Sequence, residues 1–550
     1  MTTKYLVLFD ADRIKDYVFA TGRLKEIRGA SEQVRQLTDK DAVEQMSTLE
    51  DLKPETNEGI IYTGGGAGAL LFAEEEQAAA FCRAIEHTYR RTTRAATLSA
   101  VYVPVQDDTH QAEYAAQTLA ERLLARRKAS RPQAEHIPGG GVIRFCSSDR
   151  LHPASSRIRR DPDTTASLLV SESTAIKHMQ NKHYRDRQTF LNGDFWQAFE
   201  PLLPEEDRAT WRKAVYGGQD LGDIGRQACP RGYVALVYAD GDRIGKTKQA
   251  VVKAYGLAGY MAFSQALSEA ANRATAQALA DAYKWRAPRN QALPFEVITI
   301  GGDDILLICT AERGLQVACT ISRLFGAWVQ QVFHEKLHEQ GKTIDKKAPD
   351  PVREVSASVG VVLAHDSLPI VQLERRGREL LKSAKKQRGG GQGGIDFHIV
   401  KTPGLDAIQG VRSREYMSDE QTALTMRPYR IDQAETLLRY ARHLNGLCDS
   451  TGQATHDSAA QQTMPHLPNS KRSALYAACQ GHRTQVTFDV LSLHARLGAH
   501  ERRALLDALH ALGCLPYYPF APADDDDISH TALLDLLEVM EFVAEEGRWA

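Results

Sequence analysis

One pattern occurs twice in the chain, Leu8-Phe9-Asp10-Ala11-Asp12-Arg13-Ile14 and Tyr238-Ala239-Asp240-Gly241-Asp242-Arg243-Ile244. Each copy reads as an apolar strand that ends in Asp-x-Asp-Arg-Ile, and a helix-like stretch follows each. A short strand then enters a glycine turn, Ile60-Ile61-Tyr62-Thr63-Gly64-Gly65-Gly66 in one copy and Ile298-Thr299-Ile300-Gly301-Gly302-Asp303-Asp304 in the other. The chain leaves each turn as a second strand (69–72; 305–308), which makes a β-hairpin that presents its tip. Further on, 98–103 and 355–362 read as strands, each followed by a charged helix (114–128; 371–387). Both helices stop at glycines (139–141; 389–394) and lead into a last strand (142–145; 395–400). So many features recurring in one order mark a duplication.

The order strand, helix, hairpin, helix, strand, helix, strand predicts an α+β protein with two ferredoxin-like palm domains, each with helices against one face of a mainly antiparallel sheet. They are expected over 1–146 and 231–403. Residues 147–230 read as a mostly helical linker domain, with Trp196 and Trp211 on helical stretches. Beyond 404, apolar residues at three-to-four spacing over 431–446, 470–482, 485–495, 499–512 and 530–546 predict a C-terminal all-α domain (404–550). The polar stretch 448–468 reads as a loop, and Asp524 to Asp527 as a solvated turn.

Composition narrows the function. A chain that is 43% hydrophobic and 25% charged is an ordinary globular protein. Its formal net charge of -2 gives no global field for nucleic acid, so any such contact must be local. No apolar run approaches the ~18 residues that span a bilayer, and Asp10 comes too early for a signal peptide. The expectation is a cytoplasmic protein without a membrane partner. The eight cysteines are scattered, with no CxxC pair, as suits reduced thiols.

The chemistry lies in the second copy. A hairpin tip reading Gly301-Gly302-Asp303-Asp304 puts two carboxylates where glycine leaves the backbone unobstructed. Asp240 and Asp242 end the neighbouring strand, so four carboxylates are expected to converge. Such a cluster repels itself unless cations neutralise it, and hard oxygen ligands suit Mg²⁺ or Mn²⁺ bridging to triphosphate oxygens. Two such ions would activate a 3′ hydroxyl and stabilise leaving pyrophosphate. Asp240, Asp303 and Asp304 are the candidate catalytic carboxylates; Asp242 and the Gly241 carbonyl complete the candidate metal ligands. Gly301 and Gly302 would lie beneath the triphosphate, and Lys246 and Lys385 are candidate phosphate contacts, although a lone lysine is as readily a solvated side chain. The first copy keeps Asp10 and Asp12 but has Gly64-Gly65-Gly66-Ala67 at its turn. It reads as catalytically silent, with Gly64 and Gly65 leaving room for a base or phosphate and Arg28 and Ser31 nearby.

Lys25-Glu-Ile-Arg-Gly-Ala-Ser31, the Asp-x-Asp-Arg-Ile-Gly strand end, Gly301-Gly-Asp-Asp304 and Met426-Arg-Pro-Tyr429 together resemble the large polymerase-like subunit of type III CRISPR effector complexes. GGDEF diguanylate cyclases share the plan of the second palm but not the duplication. The resemblance implies facing palms of which the GGDD-bearing one makes cyclic oligoadenylates from ATP once target RNA binds. It implies guide RNA, target RNA, small helical subunits and repeat-RNA-binding subunits as partners. Many members begin with an HD nuclease domain. Here the first palm strand starts at residue 5 and the only His-Asp pairs, 365–366 and 456–457, lack companion ligands, so no HD-type cleavage is expected. Many also carry a four-cysteine zinc site; here Cys146, His152 and Cys229 make zinc an unlikely fit. Two other readings stand beside the synthase: an RNA-bound scaffold with vestigial catalysis, and a standalone cyclic-nucleotide synthase of diguanylate-cyclase type.

Overall fold

The computed structural model describes residues 4–49, 59–107, 109–130, 143–159, 167–184, 191, 193–215, 220–285, 288, 292–342, 349–387, 391–402, 404, 406–419, 421–447, 465–479, 483–515, 518–523 and 527–543. In the first copy β1 (Lys4–Asp12), β2 (Ile60–Gly64), β3 (Ala67–Phe72) and β4 (Thr97–Val105) form an antiparallel sheet in the order β2-β3-β1-β4. β1 reads as an unbroken apolar run because both its faces are covered. Leu6 and Leu8 pack with Ala116 and Ala120 of the helix His110–Ser130, whereas Val7 and Phe9 share a core with Val234, Leu236 and Tyr238 of the second copy. The two palms therefore have no separate interiors on that side.

Between the palms, β5 (Ser156–Arg159) pairs with β6 (Ser167–Val170), and short helices carry the buried Trp196 and Trp211 onto Phe199 and Phe295. The linker thus has a hairpin as well as its expected helices. The expected last strand of the first palm is corrected. Val142 lies outside the described residues, and Ile143 to Phe145 join no sheet; Phe145 makes one bridge, to Pro153. Cys146 packs with Ile158 and Val170 of the hairpin rather than with the palm.

The second copy supplies β7 (Tyr233–Asp242), β8 (Phe295–Gly301), β9 (Asp304–Thr310), β10 (Ser356–His365) and β11 (Gly394–Ile399). The C-terminal region adds β12 (Met417–Asp419), β13 (Thr422–Ala423), β14 (Tyr429–Arg430) and β15 (Ser529–His530). The second sheet runs β14-β11-β10-β7-β9-β8, with β10 and β11 parallel and its other neighbours antiparallel. One face is covered by the helices Ile244–Tyr283 and Ala311–Glu339. The duplication extends to backbone detail. Arg13 and Arg243 both take the left-handed conformation at the helix start (φ 49 and 62). The hairpins shift register at matching places, between Ile60 and Tyr62 and between Val297 and Thr299.

Helices Ile431–Leu444, Asn469–Ala478, Arg483–Ala495, Ala499–Ala511 and Leu533–Val539 build the C-terminal region, joined by a small sheet of β12, β13 and β15 that periodicity did not predict. Asp524 to Asp526 and most of 448–468 lie outside the described residues. Met426-Arg-Pro-Tyr429 is the joint between this region and the second palm. The Arg427 guanidinium is 1% exposed and pairs at 2.7 Å with both Asp535 and Glu538, while it also donates to the Phe397 carbonyl at 3.1 Å. The Tyr429 hydroxyl donates to Asp535 at 2.5 Å. Among the described residues no helix is long and apolar enough to cross a membrane.

Candidate active site

A two-residue hairpin needs positive φ at its first central position, and Gly302 (φ 63) provides it, leaving the next position free for Asp303. The tip folds over the end of β7. A methyl group on Gly241 would lie 2.8 Å from the Asp303 Cβ and 2.6 Å from Ile244, so a glycine at the strand end is what lets the acid come alongside. Gly241→Ala is expected to push Asp303 away and cut turnover at least tenfold, by analogy with the cost of small misplacements, without a matching loss of Tm. Equal turnover in the variant would refute this role.

Asp240 is ion-paired with Lys385, whose ammonium also donates to the Gly241 carbonyl at 3.2 Å. Asp304 is paired with Lys15 of the first palm at 3.1 Å. The fourth expected ligand, Asp242, is engaged with β10. Asp242 is buried and accepts hydrogen bonds from Ser356 (2.9 Å) and Ser358 (2.8 Å), which ties the end of β7 to β10. Its twin Asp12 does the same with Thr97 (2.9 Å) and Ser99 (3.0 Å).

The first palm also repeats the lysine. Lys128 pairs with Asp10 at 2.5 Å and donates to the Ala11 carbonyl at 3.0 Å, as Lys385 does with Asp240 and Gly241. What the first palm lacks is the pair of hairpin acids. A methyl on Gly66, the counterpart of Asp303, would meet Ile14 at 2.8 Å and the Ala11 Cβ at 3.3 Å. The small residue has changed sides: glycine at the strand end and acid at the tip in one palm, alanine and glycine in the other.

Several predicted nucleotide residues are placed at the interface between the palms. Ser31 donates to the Ile298 carbonyl at 2.7 Å, beside a buried fork of Arg28 on Glu296. Gly65 meets Gly301 so closely that a methyl on Gly65 would lie 3.1 Å from its Cα. Ser31 and Gly65 therefore hold the palms together. Gly64 and Gly302 face open space, and exposed Lys246 lines an open groove with Gly241, Arg243, Ile244 and Gly245. Lys15 and Lys128 were missed by sequence reasoning; for Lys128 the signal was its place on the helix matching that of Lys385.

Burial, then the charges of Asp240 and Asp304, push the Asp303 carboxyl up to about 7. Asp304 is raised as well, by burial, with Lys15 opposing. Among the described residues no three His, Cys, Asp or Glu side chains are gathered tightly enough to grip an ion as they stand. The donor set nevertheless suits a hard divalent cation: three carboxylates and a carbonyl, with an ammonium already seated on Asp240 and Gly241. Binding must expel the proton of Asp303. The metal-free fold holds that proton more tightly than the unfolded chain, so its own stability falls as pH rises towards about 7. The rise in Tm caused by Mn²⁺ is expected to grow from pH 6 to pH 8 and to lose that slope in Asp303→Asn; a pH-independent rise would contradict the coupling.

For the zinc candidates, Cys146 sits against Thr174, His152 pairs with Asp149 at 3.3 Å, and the Cys229 amide donates to Glu312. Of the two His-Asp pairs, His365 bonds Ser367, while 456–457 lie outside the described residues.

A ferredoxin-like sheet with acids at the end of its first strand and the tip of its central hairpin defines a palm of the nucleotide cyclase and polymerase class. Residues 233–392 match the family described as Cas10/Cmr2, second palm domain. That match covers less than a third of the chain, and over nearly its whole length the chain shares its fold with Csm1. Csm1 of T. onnurineus superposes with a TM-score of 0.55 at 14% identity, over 99% of this chain and 70% of that one. A Csm1-Csm4 cassette in complex with cA3 gives 0.57 at 14%, and the Csm1-Csm4 subcomplex of the type III-A CRISPR-Csm interference complex 0.56 at 14%, with the same coverage. At that identity the likeness is one of fold. No curated protein matches the chain.

Proposed function

We propose that this chain is a metal-dependent nucleotidyltransferase that joins ATP into cyclic oligoadenylates, as the large subunit of a type III CRISPR effector complex switched on by target RNA. The observation that carries the reading is the meeting of Asp303 and Asp304 with Asp240 within the segment that matches the Cas10/Cmr2 second palm. Supporting it, Csm1-Csm4 cassettes of the same fold have been crystallised with AMPPNP, pppApA, cA3 and cA4. Asp240, Asp303, Asp304 and the Gly241 carbonyl would hold Mg²⁺ or Mn²⁺. Those ions would lower the barrier to 3′-hydroxyl attack and neutralise departing pyrophosphate. The chain's own residues do the remainder. Lys385 compensates Asp240, Gly302 keeps the tip clear for phosphates, and the first palm closes the other side, with Asp10 and Lys128 as a second phosphate-sized polar pair. The partners in this reading are guide and target RNA, with small helical and repeat-RNA-binding subunits.

The test is incubation of the pure chain, and of the chain assembled with guide and target RNA, with ATP or GTP and Mn²⁺. Cyclic or linear oligoadenylates are expected, with more on target addition. Incorporation of GTP in preference would move the assignment to a diguanylate-type cyclase. Absence of product from the assembled complex, with RNA still bound, would leave a scaffold.

A further inference from the structure

The first palm has no acids at its hairpin tip, yet it places a lysine at the acids of the second. Lys15, on the short helix Ile14–Val18, reaches across to Asp304 at 3.1 and 3.4 Å and lies 4.6 Å over the ring of Tyr238. Tyr238 is buried and fixed on β7, so the ammonium is confined to the mouth of the site.

The duplication permits an internal comparison. Aligning the two Asp-x-Asp-Arg-Ile segments sets Lys15 against Gly245, and aligning the hairpins sets Asp304 against Ala67. One palm's acid faces a lysine from the other palm, whereas the position without an acid is matched by a glycine on which a methyl would find no neighbour within 4 Å. At the matched positions cation and hairpin acid are present together in one direction and replaced by Gly245 and Ala67 in the other, where the second palm's Lys248 pairs with Glu121 on a helix of the first palm and not with its hairpin tip. A cation that served only to glue the palms would have no reason to follow the acids, since the interface is already held by the Arg28 to Glu296 fork and the Gly65 to Gly301 contact.

We infer that Lys15 is a nucleotide-facing cation supplied by the first palm to the second palm's site, resting on Asp304 in the metal-free protein and turning to the triphosphate once a divalent ion takes that carboxylate. This rests on the nucleotidyltransferase reading. The chemistry is an exchange of counterions. Asp304 is paired with Lys15 and Asp240 with Lys385; a divalent ion held by Asp304 would displace the Lys15 ammonium, which would then be free to pair with an incoming polyphosphate. No bond is made or broken in the exchange.

Lys15 therefore competes with metal and assists nucleotide, which gives a signature that a structural prop lacks. In the full-length chain, binding is measured for Mn²⁺ alone, by counting free ion, and then for a non-hydrolysable ATP analogue at saturating Mn²⁺. Lys15→Met is expected to bind Mn²⁺ several-fold more tightly and the analogue about tenfold more weakly, the scale of one charge-assisted contact. Lys15→Arg should restore analogue binding. A fall in both affinities together, or no change in either, would overturn the inference, as would a failure of Lys15→Arg to rescue. Neither measurement reads product. A chain that shows these opposite shifts but forms no oligoadenylate keeps Lys15 in this role and sinks the synthase reading; one that forms oligoadenylate without them does the reverse.

Discussion

Asp303→Asn should abolish oligoadenylate formation, by about 10³-fold or more, and yet raise the Tm of the metal-free protein above pH 7. The two effects share one cause. Ionised Asp303 is set among protein atoms beside Asp240 and Asp304, and these hold its carboxyl up to about 7. Its charge is therefore unfavourable to the fold until a cation arrives. An amide removes the repulsion and with it the metal site, whose charge stabilisation of several kcal/mol corresponds to the fall in rate. Product analysis and thermal unfolding on the same preparation decide it. A variant that is both inactive and less stable would show that Asp303 is a structural residue.

Arg427→Ala should be the most damaging substitution away from the site. The guanidinium is enclosed, with Asp535 and Glu538 each at 2.7 Å, and Glu538 also accepts from the Tyr416 hydroxyl at 3.1 Å. Removing the cation leaves buried Asp535 without a charge partner and Glu538 with Lys401 alone at 2.6 Å, a loss of about 3–5 kcal/mol for breaking a buried pair. Chemical denaturation should show the C-terminal helices released first, because Leu533–Val539 carries both acids while Arg427 donates to the Phe397 carbonyl of β11. Double replacement with Asp535→Asn should recover part of the loss. Stability within about 1 kcal/mol of the parent, on the scale of an exposed pair, would show that the cluster contributes little.

Much of the fold was legible because it is written twice. A strand ending in two acids and a hairpin entered through glycines are local patterns, and their recurrence in order gave the second palm's sheet and the place of Asp240, Asp303 and Asp304. The same local patterns could not say what lies across a domain boundary. Ser31 looked like a loose hydroxyl beside a glycine turn, but the carbonyl it serves, Ile298, is 267 residues away. Lys15 and Asp304 are 289 apart. Asp242 was expected to converge with Asp240 and the two tip acids. The serines of β10 claim it instead, and those partners too are distant in sequence. The small sheet of β12, β13 and β15 escaped notice because strands of two or three residues carry no period.

The exchange of a methyl between Gly241 and Ala11 also limits what each hairpin tip can hold. An aspartate placed at 66 would press on Ala11 and Ile14 and would have to take a left-handed backbone (φ 93), so the first palm does not readily hold an acid there. The two halves are thus packed around different small residues, and the tip acid of one does not exchange freely with the tip glycine of the other.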